Sequence, residues 1–366
     1  MNPYEPMSLP LPNIDWIAHV PLIGQAHDAL GVYKGMLNGI PNPAIMLSPL
    51  TTQEAVLSSR IEGTQASIEE VLQYEADPKE EMTASKHADI REIINYRQAM
   101  KSAVEDLKER PSCLNLMKKL HFILLDSVRG QNKGRGEFRR SQNFIGPYGA
   151  TIEQATYVPP VWDKVEGAMG NWEKYLHADE KDRLVQLAVA KAQFELIHPF
   201  LDGNGRLGRM LVPLYLFEKG VLSSPMFYIS AYLETHRDAY YANLQAVSRT
   251  GDWNSWIGFF LSALIDQAKA NEAKTRSILD LYERMKKEIP GTLRSQYVVQ
   301  AIDALFERPV FSSSDFIAST KIPRESAFRI LSLLKRHKLL TDLRPGKGRR
   351  ATILMFPELL KITEGV

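Results

Sequence analysis

Cysteine is nearly missing from this chain. Cys113 is the only one among 366 residues, so no internal disulfide can form and no cysteine cluster exists for zinc. That scarcity suits a reducing compartment, and a cytoplasmic location is expected. Also lacking is a leader pattern: "MNPYEPMSLPLPNIDW" has no basic opening and no apolar stretch. Long hydrophobic runs are absent as well. The most apolar one, "WIGFFLSALI" from Trp256, is too short to span a bilayer, so no membrane partner is expected. Charge of either sign is scarce in the net, which is +2. The balance is uneven, however. Residues 291–366 carry 13 Lys or Arg against 7 Asp or Glu, leaving 32 against 36 in the first 290. A small basic tail on a mildly acidic body points to an anionic partner for the tail.

What is present is mostly helical periodicity. Residues 1–50 are rich in Pro and Gly and are expected to wrap a core, with one short helix near Ile23–Leu37. From Thr51 the pattern turns helical, and Ser67 to Glu70 forms a Ser-x-x-Glu capping pattern. The segment "GEFRRSQNFIGPYGATIEQATYVPP" interrupts the helices. Two β-prone runs, Asn143–Ile145 and Thr156–Val158, flank Gly146, Pro147 and Gly149, which predicts a hairpin or flap. Helices resume, including Arg237–Ser248 and Asn254–Lys287, until "KKEIPGTLR" reads as a boundary. Length and pattern give a division into 1–110, 111–285 and 291–366. The fold class is mainly α, with a flap in the helical core and a small α+β tail.

The chemistry concentrates in "IHPFLDGNGRLGRM", Ile197 to Met210. Pro199 disfavours helix at His198, so a helix ends there. Gly203, Asn204 and Gly205 permit a tight turn, and a second helix starts near Gly205. Its first N–H groups lack internal partners and, with the helix dipole, form an anion site. Arg206 and Arg209 lie three apart on one face and can fork onto phosphate oxygens. Asp202 suits a Mg²⁺ ion whose remaining ligands are phosphates and water. His198 can act as a base near neutral pH. Together these form a polyphosphate cradle with a metal ligand and a proton acceptor.

The run from His198 to Arg209 fills every fixed position of the Fic signature, His-x-Phe-x-Asp/Glu-Gly-Asn-Gly-Arg-x-x-Arg, and so resembles that family. The resemblance extends from about Thr51 to Ala270. It implies a helical Fic bundle with a β-hairpin flap that transfers AMP from ATP to a Ser, Thr or Tyr hydroxyl of a target protein or of the chain itself. In that reading His198 takes the hydroxyl proton, Asp202 holds Mg²⁺, and the turn N–H groups with Asn204 bind phosphates. Arg206 and Arg209 then steady the leaving groups. The flap, with Ile145, Thr156 and Tyr157, would pair with the target backbone. "RDAYYANL" would place Tyr241 on the adenine side. "SSRIEG" resembles the inhibitory Ser/Thr-x-x-x-Glu-Gly of many members. Ser58, Glu62 and Gly63 would then form a brake in which Glu62 pairs with Arg209. The equivalent Glu is also linked to AMP removal in some relatives, which stays open here, as does a homodimer.

The tail pattern of helix, helix, helix and two alternating strands resembles a winged helix. In a nucleic-acid reading Arg324 and Arg329 approach the bases or phosphates of duplex DNA, and Lys347, Arg349 and Arg350 touch phosphates. This leaves a second reading of the whole chain, as a nucleotide-sensing DNA-binding regulator. It differs from the enzyme in having no need of a base at His198. His121 and His87 have no ligand partners at metal spacing and are expected to be packing or surface residues.

Overall fold

The computed structural model describes residues 2–365 apart from 41, 80, 127, 129–131, 148, 294 and 347–349. The N-terminal third runs through α1 (Trp16–Asn38), α2 (Pro43–Met46), α3 (Ser48–Ile61), α4 (Ile68–Ala76) and α5 (Ala84–Glu109). The core follows with α6 (Leu114–Leu124), α7 (Val165–Leu176), α8 (Arg183–Ile197), α9 (Asn204–Glu218), α10 (Ser230–Thr235), α11 (Arg237–Thr250) and α12 (Trp253–Leu293). The tail comprises α13 (Val298–Glu307), β1 (Val310–Ser312), α14 (Ser313–Thr320), α15 (Arg324–Arg336), β2 (Thr341–Arg344), β3 (Ile353–Met355) and α16 (Pro357–Glu364). The fold is mainly α, as the periodicity predicts.

The site hangs on α8, whose residues from Leu184 to Ile197 are all buried except Glu195. A helix buried on every side belongs in the middle of a bundle, and α1, α7, α9, α11 and α12 surround this one. Two indoles fix it in place: Trp172 donates Nε1–H to the Ala190 carbonyl and Trp256 to the Ala188 carbonyl, both at 2.7 Å. The N-cap Asp182 starts α8 by accepting from the N–H groups of Leu184 and Val185.

Four expectations need correction. The N-terminal helix is longer than Ile23–Leu37: α1 begins at Trp16, with the Asp15 carboxylate accepting from Ala18 N–H, and it carries Pro21 inside. Burial of Ala26, Leu30, Tyr33 and Leu37 outweighs the loss of the proline's N–H. The flap is not a ladder but a single antiparallel bridge, Ile145 to Tyr157. The stretch expected to break the helical pattern does not do so before Leu293, because α12 runs on to that residue through Pro290. The tail's two alternating strands gain a third. The sheet order is β1-β3-β2, antiparallel throughout, with Phe311 opposite Leu354 and Asp342 opposite the same residue.

The tail is docked, not tethered. β1 packs on α4, and α13 and α16 pack on α3. Lys274 of α12 donates to Gln53 Oε1 on α3 and to the Thr363 carbonyl on α16. Arg344 of β2 pairs with Asp77 just after α4 at 2.5 Å.

Candidate active site

The loop between α8 and α9 is built from local rules. The Phe194 carbonyl takes the His198 N–H, and His198 then adopts the left-handed conformation (φ 49°, ψ 60°), which ends the helix. Gly203 also has positive φ, 77°, and starts α9 with no side chain capping the free N–H groups. These N–H groups point to the anion site the sequence predicts.

The His198 ring is half-buried. Its Nδ1 lies 3.3 Å from the Glu195 carbonyl, an acceptor only, so Nδ1 carries the proton and Nε2 is left as the base. Burial pushes the imidazole below its ordinary value, against opposing pulls from Glu195 and Glu62, and keeps it neutral near pH 7.

Asp202 accepts from Gly203 N–H at 2.6 Å and from Arg206 Nη2 at 3.2 Å through Oδ1. Among the described residues its Oδ2 meets the exposed Lys133 ammonium, at 3.2 Å. A partly exposed carboxylate with one oxygen on a displaceable cation fits a Mg²⁺ ligand. Among the described residues no cluster of three or more His, Cys, Asp or Glu could hold a metal without help from phosphates.

Two signature side chains are committed differently from the sequence expectation. Asn204 is turned into the loop: its Oδ1 accepts from Phe200 N–H at 2.9 Å and its Nδ2 donates to the Phe200 carbonyl at 2.8 Å. Its backbone N–H is left for a phosphate. Arg206 is buried, donating to Glu92 Oε2 at 3.1 Å and to Asp202. Fixing the loop from α5 is its role in this structure, because Glu92 supplies the counter-charge a buried guanidinium needs.

Arg209 is 1% exposed and faces α3. Its Nε donates to Ser58 Oγ at 2.8 Å, and its Nη2 donates to the Ser58 carbonyl at 2.8 Å and to Glu62 Oε1 at 2.7 Å. Burial pushes the Glu62 carboxyl up, but the charge and hydrogen bond of Arg209, with the charge of Arg206, outweigh that and hold it below the usual range. Gly63, at φ 99°, turns the chain away after the helix. Glu62 also lies where a β-carbon on Gly205 would stand, 2.2 Å from Oε1. The carboxylate therefore rests on the first turn of α9, at the anion site itself. A cavity of about 670 Å³ lies elsewhere, between Pro43, Thr51, Met100 and Met226, and involves none of these residues.

Tyr241 lies on the rim, 46% exposed, with the Arg237 guanidinium 5.8 Å from its ring. Arg237 also donates to the Ile61 carbonyl at 3.1 Å, which ties the rim to the end of α3. In the flap, Ile145 N–H donates to the Tyr157 carbonyl at 2.8 Å and Thr156 N–H to the Ile145 carbonyl at 2.8 Å. Ile145 and Thr156 are exposed, but the Tyr157 hydroxyl turns inward and donates to the Leu196 carbonyl at 2.5 Å. In the tail, Arg324, Arg329 and Arg350 are exposed, and Lys347 and Arg349 fall outside the described residues.

Three positioning residues escape the sequence reading. Glu92 is one. His121 is a second: it is buried as expected, but it stacks on Phe200 at 4.0 Å, accepts Gly136 N–H at Nδ1 and donates from Nε2 to the Asp202 carbonyl. Burial draws its ring down to about 4, so it is a neutral brace. The third is Arg139, taken up below.

With this geometry in hand, the relatives are informative. The Fic/DOC family N-terminal pattern matches residues 20–105 and the Fic/DOC family pattern matches residues 111–216. A protein adenylyltransferase Fic of Culex quinquefasciatus is 29% identical over 199 residues, covering 52% of this chain and 33% of that protein. A probable protein adenylyltransferase of Aquifex aeolicus is 28% identical over 195 residues, covering 53% of this chain and 56% of that protein. The match thus spans about a third to about half the length of these curated relatives. A Fic family protein from Desulfovibrio desulfuricans superposes with a TM-score of 0.59 at 19% identity, over 97% of this chain and 98% of that one. Fic-1 from C. elegans gives 0.51 at 18% identity, over 73% and 74%. Adjacent matches from residue 20 to residue 216, joined by a fold shared along nearly the whole length, place the chain in the Fic/DOC family.

Proposed function

We propose that the chain is an autoinhibited protein adenylyltransferase, moving AMP from ATP to a protein hydroxyl. The observation that carries this reading is the Glu62 carboxylate resting on Gly205 and Arg209, in the place a phosphate oxygen would take. An anion-binding helix start occupied by the chain's own carboxylate, beside a neutral imidazole whose Nε2 has no partner among the described residues, fits a phosphoryl site held closed.

With Glu62 displaced, the β- and γ-phosphates would sit on the free N–H groups of α9 and on Arg209. Asp202 would hold Mg²⁺, which neutralises charge on the phosphates when bound. Nε2 of His198 would take the acceptor's hydroxyl proton as that oxygen bonds to the α-phosphorus. The bond from the α-phosphorus to the bridging oxygen breaks, and pyrophosphate leaves with the electron pair. Tyr241 would flank the adenine. Residues next to Ile145 direct their backbone groups away from Tyr157, so Phe144 and Gly146 offer an edge on which a target segment can lie.

Incubation of the full chain and of Glu62→Gly with α-labelled ATP and Mg²⁺ tests the reading. Covalent label should appear on protein and fall about 10³-fold in His198→Ala. Label from γ-labelled ATP instead would replace AMP transfer by phosphate transfer.

A further inference from the structure

Arg139 is an internal cation of unusual setting. It is 3% exposed, and among the described residues no carboxylate pairs with it. Its partners are carbonyls. Nε donates to the His198 carbonyl at 2.9 Å, Nη2 to the Pro160 carbonyl at 2.5 Å and the Ile197 carbonyl at 3.4 Å, and Nη1 to the Ser141 carbonyl at 3.3 Å. Its backbone N–H adds a bond to the Pro199 carbonyl at 2.9 Å.

These contacts have a pattern. A helix leaves its last carbonyls without internal partners. At the end of α8 each of them is taken. The Phe194 carbonyl receives the His198 N–H, the Glu195 carbonyl receives the His198 ring, and the Leu196 carbonyl receives the Tyr157 hydroxyl. The Ile197 and His198 carbonyls receive Arg139. Two of these partners come from the flap and its base. Pro160, where the flap ends, hangs on the same guanidinium. Asn143, where it begins, donates Nδ2 to the Phe200 carbonyl at 3.2 Å. A guanidinium at the carbonyl end of a helix is favourable by its dipole, which offsets the missing counter-ion. His198 needs such support, since a non-glycine residue in the left-handed region costs about 1–2 kcal/mol unless its surroundings hold it.

We propose that Arg139, with Tyr157, is a positioning residue for the base: it caps the carbonyl end of α8, fixes the His198 ring with Nε2 forward, and joins that ring to the flap. Occupancy of the flap by a target segment then bears on the imidazole through one side chain. The inference rests on the transferase reading for its catalytic consequence, and the ring geometry stands apart from it. Burial draws the guanidinium down to about 10, so it stays charged at neutral pH.

The test uses the full chain with Glu62→Gly as parent, adding Arg139→Lys, Arg139→Ala or Tyr157→Phe. Pyrophosphate release from ATP and Mg²⁺ reads transfer to protein or to water alike. A displaced base should lower the rate about 100-fold in Arg139→Lys. Half-saturating ATP should stay within about threefold. Guanidinium ion should restore part of the rate in Arg139→Ala. Nitrogen-15 shifts of the His198 ring at pH 8 should show loss of the Nδ1–H tautomer. Tyr157→Phe removes one cap and one hydroxyl, and should give a smaller change in both readouts if the arginine variants do not fold. An unchanged rate with an unchanged ring overturns the proposal. A lost rate with weakened ATP binding and an unchanged ring also overturns it, leaving Arg139 a structural residue. If the parent releases no pyrophosphate, the transferase reading fails, and the ring shifts alone decide the role of Arg139.

Discussion

Replacing Glu62 by glycine is the most direct perturbation of this molecule. The substitution removes one charge-assisted bond, the 2.7 Å contact from Arg209 Nη2 to Oε1. Bonds to charged groups contribute roughly 1.5–3 kcal/mol. Glu62 is 36% exposed at its side chain, so the low end, about 1.5–2 kcal/mol, applies. At 1.4 kcal/mol per tenfold, productive nucleotide engagement should improve about 10- to 30-fold. Arg209 keeps both bonds to Ser58, so its position survives. Glu62 is both the C-cap of α3 and a partner of the buried Arg209, so the same lost bond should lower stability by about 2 kcal/mol. Initial pyrophosphate release at ATP concentrations below saturation is the assay, with His198→Ala added to the variant as control. Glu62→Gln should fall between the two, because its amide oxygen still accepts from Arg209 without the charge. A glycine variant that folds, yet releases pyrophosphate at the parental rate, would refute the claim that this carboxylate closes the site.

Other outcomes follow from the same geometry. Because Arg209 holds the Glu62 carboxyl below its usual range, the pair is complete above the unfolded value of about 4.3 and fades only as pH falls through the lower folded value. Inhibition, read as the ratio of the Glu62→Gly rate to the wild-type rate so that the titration of His198 cancels, should thus be flat from about pH 5 to pH 9. Glu54 behaves oppositely: burial, against the hydrogen bonds from Ser230, raises it to about 7. Its folded value lies above its unfolded one, so stability is greatest below the unfolded value and declines as pH rises toward 7, by roughly 2–3 kcal/mol. Glu54→Gln should flatten that decline in denaturant melts at pH 5 and pH 8. Glu92→Ala leaves the buried Arg206 to Asp202 and should cost about 2–3 kcal/mol, seen as a lower melting midpoint; a loss under about 1 kcal/mol would mean Asp202 alone suffices as counter-charge. If the tail binds duplex DNA through α15, Arg324→Ala with Arg329→Ala in the full chain should reduce the salt slope by about 2.

What the sequence discloses depends on distance along the chain. The catalytic loop is legible because its parts lie within twelve residues and obey helix-end rules. Ser58 and Glu62 are legible as one helix face, but only the resemblance points them at Arg209. Glu92, His121 and Arg139 reach the loop from 59 to 114 positions away. Nothing local marks them. Arg139 and Arg140 are adjacent and chemically identical, yet one is 3% exposed and the other 84% at its side chain. The Asn204 side chain misleads in the opposite way: an amide beside an anion site suggests a ligand, whereas the turn itself consumes both of its polar atoms.

The continuity of α12 has a practical consequence for anyone who dissects this chain. At 1.5 Å per residue, its 41 residues make a rod of about 60 Å, rooted under α8 by Trp256 and sheathed at its far end by α13 and α16. Cutting near residue 285, where composition invites a cut, would shear the rod and bare Ile278, Leu281 and Met285 to water. A fragment ending there would carry a greasy stripe with no sleeve, and clumping in the tube would say nothing about how the intact protein behaves.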